Sequence, residues 1–181
     1  GMVKSRTHPG IFRTTTDSGN PPARWGVRRD GALVREYSVN VPNVDWEDIA
    51  ADDRGHLYLG DIGNNDARLP LRAVYRLDEP DPSVDGERVL KVKTVSYYRF
   101  PPDGRFDAEG LVIQGDRALI VAKTFDRRDA EVYPGPIDPP GPVRGPAPGW
   151  GLLVWRWPVQ AAIDWNATRN ARRPCGCQGY G

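Results

Sequence analysis

The feature that most constrains this chain is a strand-and-turn rhythm, clearest in residues 45–66, DWEDIAADDRGHLYLGDIGNND. Apolar and β-prone residues (Ile49, Leu57, Tyr58, Leu59, Ile62) mark two short runs, 46–51 and 56–61. Asp52-Asp53-Arg54-Gly55 supplies the turn between them, and acidic or amide residues crowd the run ends. Runs of this kind recur at 11–16, 24–28, 33–39, 73–77, 89–100, 108–114, 117–123, 131–133 and 151–157. Turn signals such as Asp30-Gly31 and Gly115-Asp116 separate them, which predicts an all-β fold built from hairpins. Gln160 to Asn166 reads at most as one helical turn.

Composition supports this and excludes several classes. Of 181 residues 18 are Pro and 20 Gly, which favours many turns and disfavours long helices. Twenty-five basic against 24 acidic residues leave a net charge of +1, so there is no electrostatic pull toward nucleic acid or an anionic membrane. No apolar run approaches the ~20 residues of a membrane span. The N-terminal GMVKSRTHPGIF lacks an apolar leader core, which predicts no secretory signal and, by default, a cytoplasmic location. Cys175 and Cys177 are too close for a ready disulfide and too few for a zinc site, and read as free thiols in an irregular tail.

An internal repeat organises the runs. Asp45-Trp46-Glu47-Asp48-Ile49-Ala50 aligns with Asp107-Ala108-Glu109-Gly110-Leu111-Val112. Arg24-Trp25-Gly26-Val27-Arg28 aligns with Arg72-Ala73-Val74-Tyr75-Arg76, and Asp17-Ser18-Gly19-Asn20 with Asp61-Ile62-Gly63-Asn64. Repeats of one supersecondary unit with variable loops predict stacked four-stranded antiparallel blades, a partial β-propeller of about two to three blades. The expected organisation is blades over 8–133, a Pro/Gly-rich loop over 134–149, and a short strand with an irregular tail over 150–181. The central blade is expected from runs 46–52, 56–61, 72–77 and 89–100.

Taken together, DSGNPP, NVDWEDIA, LYLGDIGNN, VYRLDEP and FDAEGLVI resemble a family of uncharacterised bacterial propeller proteins. That family is grouped with six-bladed gluconolactonase-like, paraoxonase-like and NHL-repeat proteins. The resemblance spans residues 8–135 and implies a fold of which this chain supplies about half. An incomplete propeller leaves strand edges open, and these are expected to be covered by the proline-rich segment or, through self-association, by another copy of the chain. In lactonase-like relatives a calcium ion near the propeller axis is held by Glu, Asp and Asn and polarises a carbonyl or phosphoryl group.

Glu47 and Glu109 occupy equivalent repeat positions, so their carboxylates are expected to converge, with Asp48, Asp61, Asn64 and Asn65 adding oxygens. Carboxylate and amide oxygens suit a hard cation such as calcium. The competing account is that these residues cap backbone N–H groups and shape turns. Two functions remain open: a binding or structural module without activity, or a calcium-dependent lactonase or phosphoesterase.

Other chemistries have weaker support. His8 and His56 read as surface or turn histidines before catalytic bases, and Ser18 lacks the strand-to-helix elbow of a nucleophile. The proline-rich PGPIDPPGPVRGPAPG reads as a loop or as a ligand for a partner domain. Of the tryptophans, Trp25 and Trp46 suit packing between blades. Trp150, Trp155 and Trp157 suit packing on the prolines or a sugar.

Overall fold

The computed structural model describes residues 1–65, 71–84, 86, 88–99, 107–123, 130–137 and the strand at 153–156. The expected helical turn, the two cysteines, and Trp150, Trp157 and Trp165 lie outside the described residues. Those described form strands and turns only: β1 (Met2–Lys4), β2 (Ile11–Thr15), β3 (Ala23–Arg28), β4 (Leu33–Val39), β5 (Trp46–Ala51), β6 (His56–Asp61), β7 (Arg72–Asp78), β8 (Val89–Leu90), β9 (Thr94–Arg99), β10 (Asp107–Gln114), β11 (Arg117–Lys123), β12 (Val132–Pro136) and β13 (Leu153–Arg156). The protein is all-β.

Three sheets result. The first runs β1-β2-β3-β4-β8, the second β13-β9-β7-β6-β5, the third β10-β11-β12. Every pairing is antiparallel except β4 with β8. The second sheet lies between the other two. One face, carrying Ala50, Tyr58, Val74 and Tyr98, packs on Ala108, Leu111, Ala118 and Ile120 of the third sheet. Its other face, carrying Ile49, Leu57, Leu59, Tyr75 and Val95, meets Val39 and Val41, at and just beyond the end of β4. This is why β6, β7 and β9 are buried almost continuously along their length, while β11 alternates buried Ala118, Ile120 and Ala122 with half-exposed Leu119 and Val121.

Two boundaries differ from the sequence expectation. The single long strand expected over 89–100 is two strands in different sheets. Alternation of apolar residues cannot report which neighbour a strand bonds to. At Val92 the N–H donates to Asn40 Oδ1 (2.8 Å), and at Lys93 to the Arg76 carbonyl (2.8 Å), which carries the chain from the first sheet into the second. The run expected over 131–133 continues as β12 through Pro134 to Pro136. Proline is tolerated there because among the described strands β12 pairs only with β11, so no ladder donor is missed on its other side. The late run expected at 151–157 appears as β13, paired to β9 on the outer edge of the middle sheet.

A buried ion pair fastens the first sheet to the end of β7. Arg13 Nε donates to Glu79 Oε1 at 2.8 Å and Nη2 to the Pro80 carbonyl at 2.5 Å, with both side chains almost wholly enclosed. Arg24 lies beside it, and burial followed by the like charge of Arg13 pushes its guanidinium down to about 9. Glu79 is therefore the anion answering two enclosed cations. Glu79→Ala is expected to cost about 3–5 kcal/mol in urea unfolding. Val84→Ala, at a position 57% exposed, should change stability by less than about 0.5 kcal/mol.

Candidate metal centre

β5 and β10 are neighbouring edge strands of the second and third sheets, and the repeated Asp-x-Glu falls at the start of each. Both carry a β-bulge at the same repeat position. The β5–β6 register passes from Trp46↔Asp61 to Asp48↔Gly60, leaving Glu47 unpaired. The β10–β11 register passes from Ala108↔Ala122 to Gly110↔Val121, leaving Glu109 unpaired. A bulge turns its side chain out of the regular alternation, a common device beside functional sites. The two strands are stitched by Asp48, whose Oδ2 accepts from Leu111 N–H at 2.9 Å.

The carboxylates that meet are Asp45, Glu47 and Asp107, each offering an oxygen within 4.8 Å of the others. Asp107 is 1% exposed. Its Oδ1 accepts from the Asn64 (2.7 Å) and Ala108 (3.0 Å) N–H groups. Its Oδ2 is buried without a hydrogen-bond partner, the Lys123 ammonium standing off at 3.7 Å. Asp45 is set by its own N–H, which donates to Asp61 Oδ1 at 2.7 Å. Its carboxylate accepts from the N–H (3.3 Å) and side-chain amide (3.4 Å) of Asn65. Gly63 closes the cradle. A Cβ there would lie 2.6 Å from Asp45 Cγ and 2.7 Å from its Oδ2, and would overlap Glu47 Oε1.

Negative charge packed this way is unfavourable without compensation. Burial, then the nearby Glu109, Asp45, Asp17 and Asp107 charges, pushes the Glu47 carboxyl up to about 8. Burial likewise raises Asp61 to about 7, despite hydrogen bonds from Asp45 N–H and the Tyr75 hydroxyl (3.2 Å). Arg72 is the buried cation of the region: burial lowers it to about 10, against the pull of Asp107, Asp45 and Asp61.

Of the residues singled out from sequence, Glu47 stands in the cluster. Glu109 turns outward, its carboxylate 2.6 Å from Lys123 Nζ and half exposed. Asp48 is engaged by backbone, accepting from Ile49 and Leu111 N–H groups. Asp61 lies beneath the cluster and holds Asp45, while Asn64 reaches Asp107 through its backbone N–H. Asp45 and Asp107 were not singled out, although they open the two aligned Asp-x-Glu copies. That shared first position was the available signal.

His56 sits at the other end of β6, about 17 Å away at ~3.3 Å per residue. Its Nδ1 is 2.9 Å from Asp52 Oδ2, which also accepts from the Tyr58 hydroxyl at 3.0 Å. Asp52 Oδ1 accepts from the Arg54 and His56 N–H groups (both 2.9 Å), so the pair is part of the turn. Compared with family models, with curated proteins and with solved structures, the chain gives no match.

Burial disfavours the Asp52 charge, but hydrogen bonds from His56, Arg54 and Tyr58 outweigh it and hold the carboxyl at about 2. Because the folded value is depressed, its stabilisation is full above about pH 4 and is lost as pH falls toward 2. Asp52→Asn should remove on the order of 2 kcal/mol at neutral pH and flatten the pH 2–4 limb of chemical denaturation curves. An unchanged acid limb would assign that sensitivity to other carboxylates.

Proposed function

We propose that this chain is a propeller-type module of stacked antiparallel blades whose inner strand ends hold a hard divalent cation, best matched by calcium. The carrying observation is the enclosed set of Asp45, Glu47 and Asp107, in which Asp107 Oδ2 is buried with no hydrogen-bond donor. An anionic oxygen removed from water with no hydrogen bond, and with only the Lys123 ammonium 3.7 Å off, is costly, and a cation bound among the carboxylates would answer it more fully. The Gly63 cradle supports the same reading, since any side chain there would fill the space beside two of the three carboxylates. The blade reading is supported by the antiparallel series β5-β6-β7-β9, by sheets stacked on both faces of it, and by matching bulges at Glu47 and Glu109.

On this reading the protein is a cation-stabilised binding or structural module. A second reading, a calcium-dependent lactonase or phosphoesterase, is favoured by one feature: three carboxylates fall short of the roughly 6–8 oxygens calcium takes. Positions would remain for water or a substrate oxygen, which a bound cation would polarise. Asp61 and Arg72 would serve either case by fixing Asp45 and balancing the local charge.

Calcium at about one hundred times its dissociation constant should stabilise the fold by about 2.7 kcal/mol, raising the melting temperature by roughly 5–10 °C. Glu47→Gln, Asp107→Asn and Gly63→Ala should lose that increment. Glu109→Gln should keep most of it, because that carboxylate is already paired with Lys123. A parent protein whose melting temperature ignores calcium and other divalent cations would overturn the proposal. Calcium-dependent turnover of lactones or phosphoesters, lost in Asp107→Asn, would select the hydrolase reading.

A further inference from the structure

The junction between the first sheet and the end of β7 encloses more donors and more positive charge than its acceptors answer. Arg13, Arg24 and Tyr37 are each at most 3% exposed. The register sets them side by side. Arg13 on β2 pairs with Gly26 on β3, and Arg24, two residues back on the same face of β3, pairs with Tyr37 on β4. Gly26 lets the Arg13 side chain cross β3, since a Cβ there would lie 3.0 Å from Arg13 Nη1. The guanidinium carbon of Arg13 accordingly ends 5.9 Å from the centre of the Tyr37 ring. Arg13 Nη1, Arg24 Nε, Arg24 Nη1 and the Tyr37 hydroxyl are all buried without a hydrogen-bond partner. The carboxylate of the junction is already engaged: Glu79 Oε1 accepts from Arg13 Nε and Oε2 from the Thr7 hydroxyl, both at 2.8 Å. Two enclosed guanidinium cations thus stand against one enclosed carboxylate.

We propose that Arg24, Arg13 and Tyr37 form a binding site for a small monovalent anion of the chloride class, held between the first sheet and the end of β7. Charge is the first argument. A single negative charge cancels the excess, whereas a water molecule would accept the same hydrogen bonds and leave a guanidinium buried without a counter-charge. Donor chemistry is the second. Guanidinium N–H groups and a phenol O–H all donate, and the unpartnered atoms include no acceptor-only oxygen to repel an anion. Enclosure is the third. The ligand has to shed its own water, which costs a singly charged ion far less than a sulfate or phosphate dianion. The titration of Arg24 runs the same way: burial and then the Arg13 charge lower it to about 9, with Glu79 only partly opposing. A bound anion would make the junction of the two sheets an electrostatic clasp of two cations and two anions.

This inference is independent of the cation site at the starts of β5 and β10. Its test is run on the whole chain in sodium salts free of divalent cations, exchanging gluconate for chloride at fixed ionic strength so that screening stays constant. Chloride should raise the melting temperature by several degrees, in proportion to the logarithm of its concentration once the site fills. The protein should also broaden the chloride NMR line, and added bromide should sharpen it again by competition. Arg24→Leu removes the surplus charge and leaves the Arg13–Glu79 pair, so it should ignore chloride and leave the line narrow. Tyr37→Phe should need severalfold more chloride for the same shift, and Glu79→Gln, which removes the fold's own anion, should steepen the dependence. A parent protein with the same melting temperature in both salts and a narrow chloride line would overturn the proposal and assign these donors to water. So would a chloride response that survives Arg24→Leu, the mark of anions bound elsewhere. Should Arg24→Leu fail to fold, unchanged chloride dependence in both Tyr37→Phe and Glu79→Gln overturns it equally.

Discussion

A sheet whose strands are buried on both faces cannot exist alone in water, and the middle sheet of this protein is one. Leu57, Leu59 and Leu77 point to one side of it and Tyr58, Val74 and Tyr98 to the other, all at 1% exposure or less. Its apolar surface needs two covers, and the first and third sheets supply them. Stacking three sheets around this layer fixes which strands become neighbours. It brings the starts of β5 and β10 together, and the repeated Asp-x-Glu with them. The acidic cluster is thus a product of the packing: the apolar side chains choose the geometry, and the carboxylates inherit it.

That inheritance has an electrostatic cost, and the structure divides it unevenly. Asp61 and one oxygen of Asp107 are satisfied by backbone N–H groups, which stabilise charge without adding any. Arg72 and Lys123 bring positive charge to the rim. What remains, Glu47 and the second oxygen of Asp107, is the unbalanced part. Such a remainder is settled by a proton or by a cation. The elevated titration of Glu47 is the first solution, and a bound divalent ion is the second.

The strands were legible where turn chemistry and apolar alternation agreed. The runs 33–39, 46–51, 56–61 and 117–123 coincide with β4, β5, β6 and β11. Legibility failed where local pattern carries no information about neighbours. The alternation across 89–100 is real, yet β8 and β9 serve different sheets, because the Asn40 side chain and the Arg76 carbonyl capture the backbone between them. The site was legible in part. Glu47 and Glu109 are equivalent in the repeat, but Lys123 beside Glu109 has no counterpart on β6, where Gly60 and Asp61 face the bulge. One glutamate is drawn out to the ammonium while the other stays in. The aspartates that open each repeat lie nearer the strand ends, where the stack converges, and that convergence belongs to tertiary structure.

The route of the chain through its sheets carries a further consequence. After building four strands of the first sheet, it makes three of the second, returns to the first as β8, and re-enters the second as β9. It then completes the third sheet before adding β13 to the second. The parallel contact of Ser38 with Val89 and the pairing of Arg99 with Leu153 each join residues more than fifty positions apart. Neither the first nor the second sheet is finished from a contiguous piece of sequence. A chain threaded this way has no autonomous fragments: the first and second sheets lock together as one cooperative unit, and the middle one closes last during synthesis.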